Sequence, residues 1–276
     1  MTDLVVRTPA SSANLGAGFD VFGMAVALYA DMGTGDAPDG AQPIDSHHPG
    51  HRAFDRLGGT GPIWLRCNIP MARGLGFSGA VRVGAAALAV VQAGETIREQ
   101  AAEILAVAAE LEGHGDNVVA SLHGGVDAYV DGRPIPFPIG PRLGASSFVA
   151  WIPDVTTSTD ASRRVLPSVV ERGDAVHNIA RATQFVLAFA HDDPELLAGA
   201  TSDRLHQDHR VPAVPGAADA LAAGASAGAW CGWLSGSGPT VGFLVDPALA
   251  GAVAAALPAQ GHTKVLGLDL EGTRLL

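Results

Sequence analysis

The chain has 276 residues, 47% hydrophobic and 16% charged, so it can bury a substantial core and is not a disordered segment. Its formal net charge of −11 argues against nucleic-acid or anionic-membrane partners, which want a basic face. A phosphate ligand remains compatible, because it needs only a local positive site.

The start, Met1 to Arg7, lacks the apolar core of a signal peptide, and the most apolar window, Ala248 to Leu257, is too short to span a bilayer. Cys67 and Cys231 have no metal-ligand spacing and read as two thiols in a reducing compartment. These features predict a cytoplasmic protein.

In chain order, Leu4 to Thr8 reads as a short strand running into a polar loop, Pro9-Ala-Ser-Ser-Ala-Asn14-Leu-Gly-Ala-Gly-Phe-Asp20, before the apolar stretch Val21 to Leu28. Asp31 to Pro62 is rich in Gly, Pro, Asp and His without a period and reads as an irregular excursion. His47, His48 and His51 within it read as a polar loop. Ile63 to Ile69 is the next predicted strand, Ser78 to Val91 an Ala/Val-rich helix, and Glu95 to Glu112 a second helix on the face Ile97, Ala101, Ile104, Leu105, Ala108 and Leu111. After a break at Gly113–Asn117, Val126 to Val130 forms a strand turning at Asp131-Gly132. The Pro-rich stretch from Gly132 to Gly144 marks a boundary between lobes at 1–143 and 144–276. In the second half, strands are expected at Ser146–Ile152, Ala229–Leu234, Thr240–Val245 and Thr263–Leu268. Helices are expected near Asp160–Leu166, Asp174–Ala190, Pro194–Thr201, Pro215–Ala227 and Pro247–Leu257. Interleaved strands and helices predict an α+β or α/β chain with two lobes.

The stretch Pro70-Met-Ala-Arg73-Gly74-Leu75-Gly76-Phe77-Ser78-Gly79 has the chemistry of a phosphate loop. Its glycines let the backbone approach a ligand, and the helix it opens aims free N–H groups and a positive dipole end at one point. There is no Gly-Lys-Ser/Thr, and the one lysine, Lys264, is far off in sequence, so an anion here would rest on amides and dipole.

Three segments, Pro9–Asp20, Pro70–Gly79 and Leu234–Thr240, resemble in order and wording the three motifs of the GHMP kinase superfamily. The Ser-Ser-Ala-Asn-Leu-Gly-Ala-Gly-Phe-Asp core, the run Glu110-Leu-Glu-Gly-His-Gly-Asp-Asn-Val118, the segment Thr159–Pro167 and Leu205–Arg210 look most like its homoserine kinases. That resemblance implies an N-terminal lobe like domain 2 of ribosomal protein S5 and a C-terminal ferredoxin-like lobe, with ATP and Mg²⁺ between them. It implies that Arg73, Gly74, Leu75, Gly76, Phe77, Ser78 and Gly79, with Gly236 and Gly238, hold the nucleotide. Ser78 and Glu110 would hold Mg²⁺, with Glu112 as the alternative carboxylate. For homoserine, Asp20 with Asn14 would take the amine, Arg163 and Arg210 the carboxylate, and Asn117, with His114 and Thr159 nearby, the acceptor hydroxyl. The implied catalytic set is Asn117, Glu110 and Arg163, with Asp116 positioning rather than acting as base. The resemblance leaves open another small carboxylate-bearing alcohol, or a non-catalytic relative, and is compatible with a homodimer. Two departures stand out: Phe77 replaces the loop's first serine, and Asp31 to Pro62 does not resemble the family's adenine-contacting segment.

Overall fold

The computed structural model describes residues 4–276, so the first three residues of the stretch read above as lacking a signal peptide lie outside the described residues. The first half contains β1 (Val5–Ala13), β2 (Phe22–Thr34), β3 (Gln42–Ile44), α1 (Pro49–Arg56), β4 (Ile63–Cys67), α2 (Phe77–Gln92), α3 (Ala101–Glu112), α4 (Asp116–His123), β5 (Val126–Val130), β6 (Arg133–Pro136) and α5 (Pro141–Gly144). The second half contains β7 (Ser147–Ile152), α6 (Thr159–Arg164), α7 (Arg172–His191), α8 (Gln207–Arg210), α9 (Ala217–Ser226), β8 (Cys231–Leu234), β9 (Val241–Val245), α10 (Ala250–Ala256) and β10 (His262–Gly267), then β11 (Arg274–Leu275).

Two antiparallel sheets organise these elements. The first is seven-stranded, in the order β11-β1-β2-β4-β3, with β5 and β6 continuing from β2. The length of β2 makes this possible: its Ala30–Thr34 end pairs with β4 and its Phe22–Met24 end with β5. The second sheet runs β10-β7-β9-β8. Taken in chain order this is a 4-1-3-2 arrangement, that of a ferredoxin-like split βαβ unit. The lobes are not strictly sequential, because β11 returns to pair with β1 through Val6↔Leu275 and Arg7↔Arg274.

The helix α2 is apolar nearly all round and is buried accordingly from Gly79 to Val90, save at Arg82. Gly84 lets it press onto the sheet: a Cβ there would lie 2.8 Å from Thr8 Oγ1 and 3.3 Å from Met32 Sδ. The Phe22, Phe137, Phe185 and Phe189 rings cluster beneath β5 and α7.

Several elements differ from the sequence reading. The polar stretch Pro9–Ala13 is not loop but strand, paired with β2 through a register shift between Pro9 and Ala10, so the loop begins only at Asn14. Asp31–Pro62 is regular over about half its length: it completes β2 and contributes β3 and α1. His48 caps α1 by accepting from the Gly50 amide at 3.1 Å, and Pro49 stands in the first turn. The helix predicted from Glu95 begins at Ala101, because Thr96 Oγ1 holds a turn by accepting from the Glu99 amide. Pro194–Leu197 is a 3₁₀ turn, and α8 and β11 were not anticipated. No helix among the described residues is long and apolar enough to cross a membrane.

Candidate active site

The three glycine-bearing segments meet at one cleft between the lobes, a cavity of about 380 Å³. At its floor, Gly76 stands at the N-cap of α2 with φ of +67° and no side chain caps the helix. A Cβ on Gly76 would lie 2.1 Å from Ser11 Oγ and 3.0 Å from Asn117 Oδ1, so only glycine fits between β1 and α4 here. The first-turn amides of α2, those of Phe77, Ser78 and Gly79, have no partner within the helix, and Phe77 and Ser78 line the cleft, an arrangement that favours an anion.

The second lobe stitches this loop in place. Ser235 Oγ donates to the Gly74 carbonyl at 2.5 Å and bonds Ser12 Oγ at 2.7 Å, while the Gly236 amide reaches the Ala13 carbonyl at 3.1 Å. Thr157 Oγ1 donates to the Gly238 carbonyl and Ser162 Oγ to that of Ser237. The Ser235–Pro239 turn is therefore both a strand connection and a clamp on the glycine loop before α2.

Of the predicted residues, Asn14, Asp20, Arg73, Gly74, Gly76, Phe77, Ser78, His114, Asn117, Thr159, Arg163, Arg210, Gly236 and Gly238 all line the cleft. Leu75 does not: it is fully buried, and its carbonyl accepts from the Ser11 amide. Gly79 is buried in the first turn of α2, where a Cβ would touch Asn117 Cβ at 3.4 Å.

Glu110 requires a correction. Its side chain is 63% exposed, away from the cleft, and pairs in a fork with Arg56 at 2.9 and 3.2 Å, which holds its carboxyl below the usual range. Glu112, 12% exposed, is the carboxylate at the loop: Oε2 accepts from Ser78 Oγ at 2.8 Å and pairs with the Arg82 guanidinium. Arg82 also donates to Ser78 Oγ. Helical period explains the exchange. Glu110 extends the exposed stripe Glu103–Ala106, whereas Glu112 extends the buried stripe Leu105–Ala108. Arg82 was also legible, being one turn beyond Ser78 on the same face.

The opposite wall is charged. Asp20, with φ of +58°, forks with Arg163 through two bonds of 2.9 Å. This pairing pushes the Arg163 guanidinium pKa further up. Asn14 fixes that loop, donating to the Gly236 carbonyl at 2.7 Å and accepting from the Asp20 amide at 3.0 Å. Arg210 is 4% exposed and is held by the Ser162 carbonyl at 3.1 Å and by the Phe19 ring, 5.1 Å away. His206 stands behind it, buried, stacked on Phe19 and within 3.0 Å of the Gly16 carbonyl. Burial keeps its pKa below the ordinary value.

Between the two walls, Asn117 Oδ1 accepts from Ser11 Oγ at 3.0 Å, which turns its amide N–H₂ to other acceptors. Asp116 Oδ1 is engaged twice, by His114 Nδ1 at 2.7 Å and by the Asn117 amide at 2.8 Å. Pro49, Thr157, Ser158 and Ser237 also line the cleft, and Pro49 comes from the segment read as irregular.

Phe77 lies on the cleft and also packs against the core, its ring edge-on to His48 at 6.3 Å. Phe77→Ser is therefore expected to lower the melting temperature by roughly 5 °C, as for loss of a partly buried ring, and to raise the KM for nucleotide. Thermal melts with KM values for both substrates check this, and an unchanged KM would confine the ring to packing.

An uncapped helix start facing a charged pocket between two lobes, the second ferredoxin-like, suits a small-molecule kinase. The chain belongs to the GHMP kinases: the GHMP kinases N terminal domain matches residues 50–125 and the GHMP kinases C terminal domain residues 185–263. Its curated relatives include homoserine kinases. One from Thermus thermophilus is 36% identical over 278 residues, 94% of each chain. That of Desulfitobacterium hafniense is 37% identical over 302 residues, covering 98% of this chain and 99% of the relative. In fold, the homoserine kinase from Cytophaga hutchinsonii matches with a TM-score of 0.84 at 21% identity, over 100% of this chain and 98% of that one. A mevalonate kinase matches with a TM-score of 0.70 at 11% identity, over 97% and 99%.

Proposed function

We propose that this cleft transfers the γ-phosphoryl group of ATP to the side-chain hydroxyl of L-homoserine, giving O-phospho-L-homoserine on the way to threonine. The observation that carries the reading is one juxtaposition: the uncapped start of α2, Asn117 and the Asp20–Arg163 pair all face the same cavity. The relatives named homoserine kinase support the choice of acceptor.

The first-turn amides of α2, with Gly74, Gly236 and Gly238 at the rim, hold the phosphates through backbone donors. Homoserine carries an ammonium, a carboxylate and a hydroxyl, and the opposite wall answers each. Its ammonium takes Asp20, and its carboxylate takes the forks of Arg163 and Arg210. The substrate thus enters the existing Asp20–Arg163 pair and replaces each half with its own complement. Asn117 N–H₂ donates to the acceptor oxygen and holds it toward the loop. Asp116, engaged by His114 and the Asn117 amide, fixes α4 and so aims Asn117. Phosphoryl transfer through a loose transition state needs positioning more than a strong base.

Ser78 and Glu112 offer two adjacent hard oxygens at the phosphate loop, a donor set suited to Mg²⁺, which completes its shell with phosphates and water. Mg²⁺ held there would supply charge neutralisation across the transferring phosphates. Arg82, which pairs with Glu112, adds a second positive group at the same point. The reading places the enzyme in the cytoplasm, where Cys67 and Cys231 remain the free thiols found in the fold, and accommodates a homodimer.

ADP release by the purified protein across a panel of small alcohols tests the reading. Homoserine should be the best acceptor, and a better one without a carboxylate would overturn it. Arg163→Leu and Arg210→Leu should each lower kcat/KM for homoserine roughly ten- to a hundredfold, the loss of one charge-assisted contact, with the KM for ATP little changed.

A further inference from the structure

A second cavity lies at the opposite end of α4 from the cleft. It has a volume of about 490 Å³, and its lining includes His123, Asp127, Pro134, Phe137, Ile139 and Leu270. Asp127 is 0% exposed, yet neither carboxylate oxygen has a hydrogen-bond partner among the described residues. His123 Nε2, on the same cavity, is buried and likewise without a partner.

Strand register accounts for this placement. Asp127 on β5 sits opposite Gly23 on β2, and a Cβ on Gly23 would run into the Asp116 carbonyl. That face of the sheet therefore lies directly beneath α4. Alternation sends Val126 and Ala128 to the other face, into the main core. A leucine or valine at position 127 would simply extend the packing under α4. A carboxylate buried there without a partner is costly, so its presence calls for a ligand that answers it.

We propose that this cavity binds a small primary ammonium ligand with an apolar body, its N–H donors reaching Asp127 and His123. An ionised carboxylate only accepts hydrogen bonds, and the Nε2 of a neutral imidazole accepts one when Nδ1 carries the proton. Two unpartnered polar groups on residues that line one cavity suit a ligand with several donors and a positive charge, and a primary ammonium has three N–H groups. Pro134, Phe137 and Ile139 suit an apolar body. Leu270, 53% exposed, stands at the mouth. The site is separate from the kinase cleft and does not depend on the reaction assigned there.

Calorimetric titration of the full chain at pH 8 with pentylammonium chloride, and with 1-pentanol as its uncharged match, tests the proposal. Pentylammonium should bind saturably and at least roughly tenfold more tightly than the alcohol, as expected for one charge-assisted bond in a buried site. Asp127→Asn should weaken it by a similar factor. Leu270→Trp, which narrows the mouth and leaves the carboxylate intact, should weaken it too. Asp20→Asn, which alters only the kinase cleft, should leave the titration unchanged. Equal binding of ammonium and alcohol, or binding undiminished in Asp127→Asn, would overturn the site. Should Asp127→Asn fail to fold, undiminished binding in Leu270→Trp overturns it alone.

Discussion

Glu112→Ala is expected to lower kcat/KM by roughly a hundred- to a thousandfold, the scale seen when one group that stabilises transition-state charge is removed. The same change should raise the Mg²⁺ concentration needed for half-maximal ADP release, because Ser78 loses its companion oxygen. Glu110→Ala should leave both quantities near wild type, since that carboxylate faces Arg56 on the outside of the molecule. Glu112→Gln separates charge from shape: it retains the contact to Ser78 but offers a poorer metal ligand. Circular dichroism must accompany these assays, because Arg82 loses its partner in Glu112→Ala. A Glu112→Ala enzyme with normal rate and normal Mg²⁺ dependence would reduce this carboxylate to an anchor for Arg82.

The second large effect concerns stability. Burial alone drives the Asp127 carboxyl up from 3.8 to about 7. Below about pH 4 both folded and unfolded chains hold the proton, and the group does not disfavour folding. As pH rises toward 7, the unfolded chain releases the proton while the folded chain keeps it, so the equilibrium shifts toward the unfolded state. Near and above pH 7 the folded chain must carry a buried charge, and the loss is complete. Three pKa units correspond to about 4 kcal/mol. Urea unfolding at several pH values between 4 and 8 should show wild type losing stability relative to Asp127→Asn by about that amount. Parallel curves for the two proteins would show that Asp127 meets a compensating partner when folded.

Much of the site was legible because its chemistry is carried by glycine and by short polar runs. Gly76 must be glycine for two independent reasons, a positive φ and the approach of Ser11, and a sequence displays such a constraint directly. Asp20, Arg163 and Arg210 were named only through the resemblance of their short motifs, and the fold brings all three to the same cleft. What the residues did not reveal is register and face. Pro9–Ala13 looks like loop because serine and proline are poor strand formers. Pairing along the whole of β2 outweighs that preference. The eight residues of α1 are too few to display a period, although Pro49 in its first turn was a usable signal. Choosing between Glu110 and Glu112 needed only the helical phase set by Leu105 and Ala108, but a resemblance of short motifs does not carry phase. Nothing local announced that Asp127 faces inward, because alternation along β5 is fixed only once β2 is its neighbour.

The pairing of β11 with β1 bears on how the polypeptide matures at the ribosome. During translation β1 and its neighbour β2 emerge long before β11. The outer hydrogen-bonding edge of β1 around Val6 and Arg7, however, is covered only once residue 275 has left the exit tunnel. Thr273, which donates to the Ser121 carbonyl, and Asp269, whose carbonyl accepts from the Gly125 amide, also tie α4 and the start of β5 to this late segment. A nascent chain long enough to build α2 and the phosphate loop thus still presents an open strand edge, the kind of surface on which stalled or truncated products aggregate.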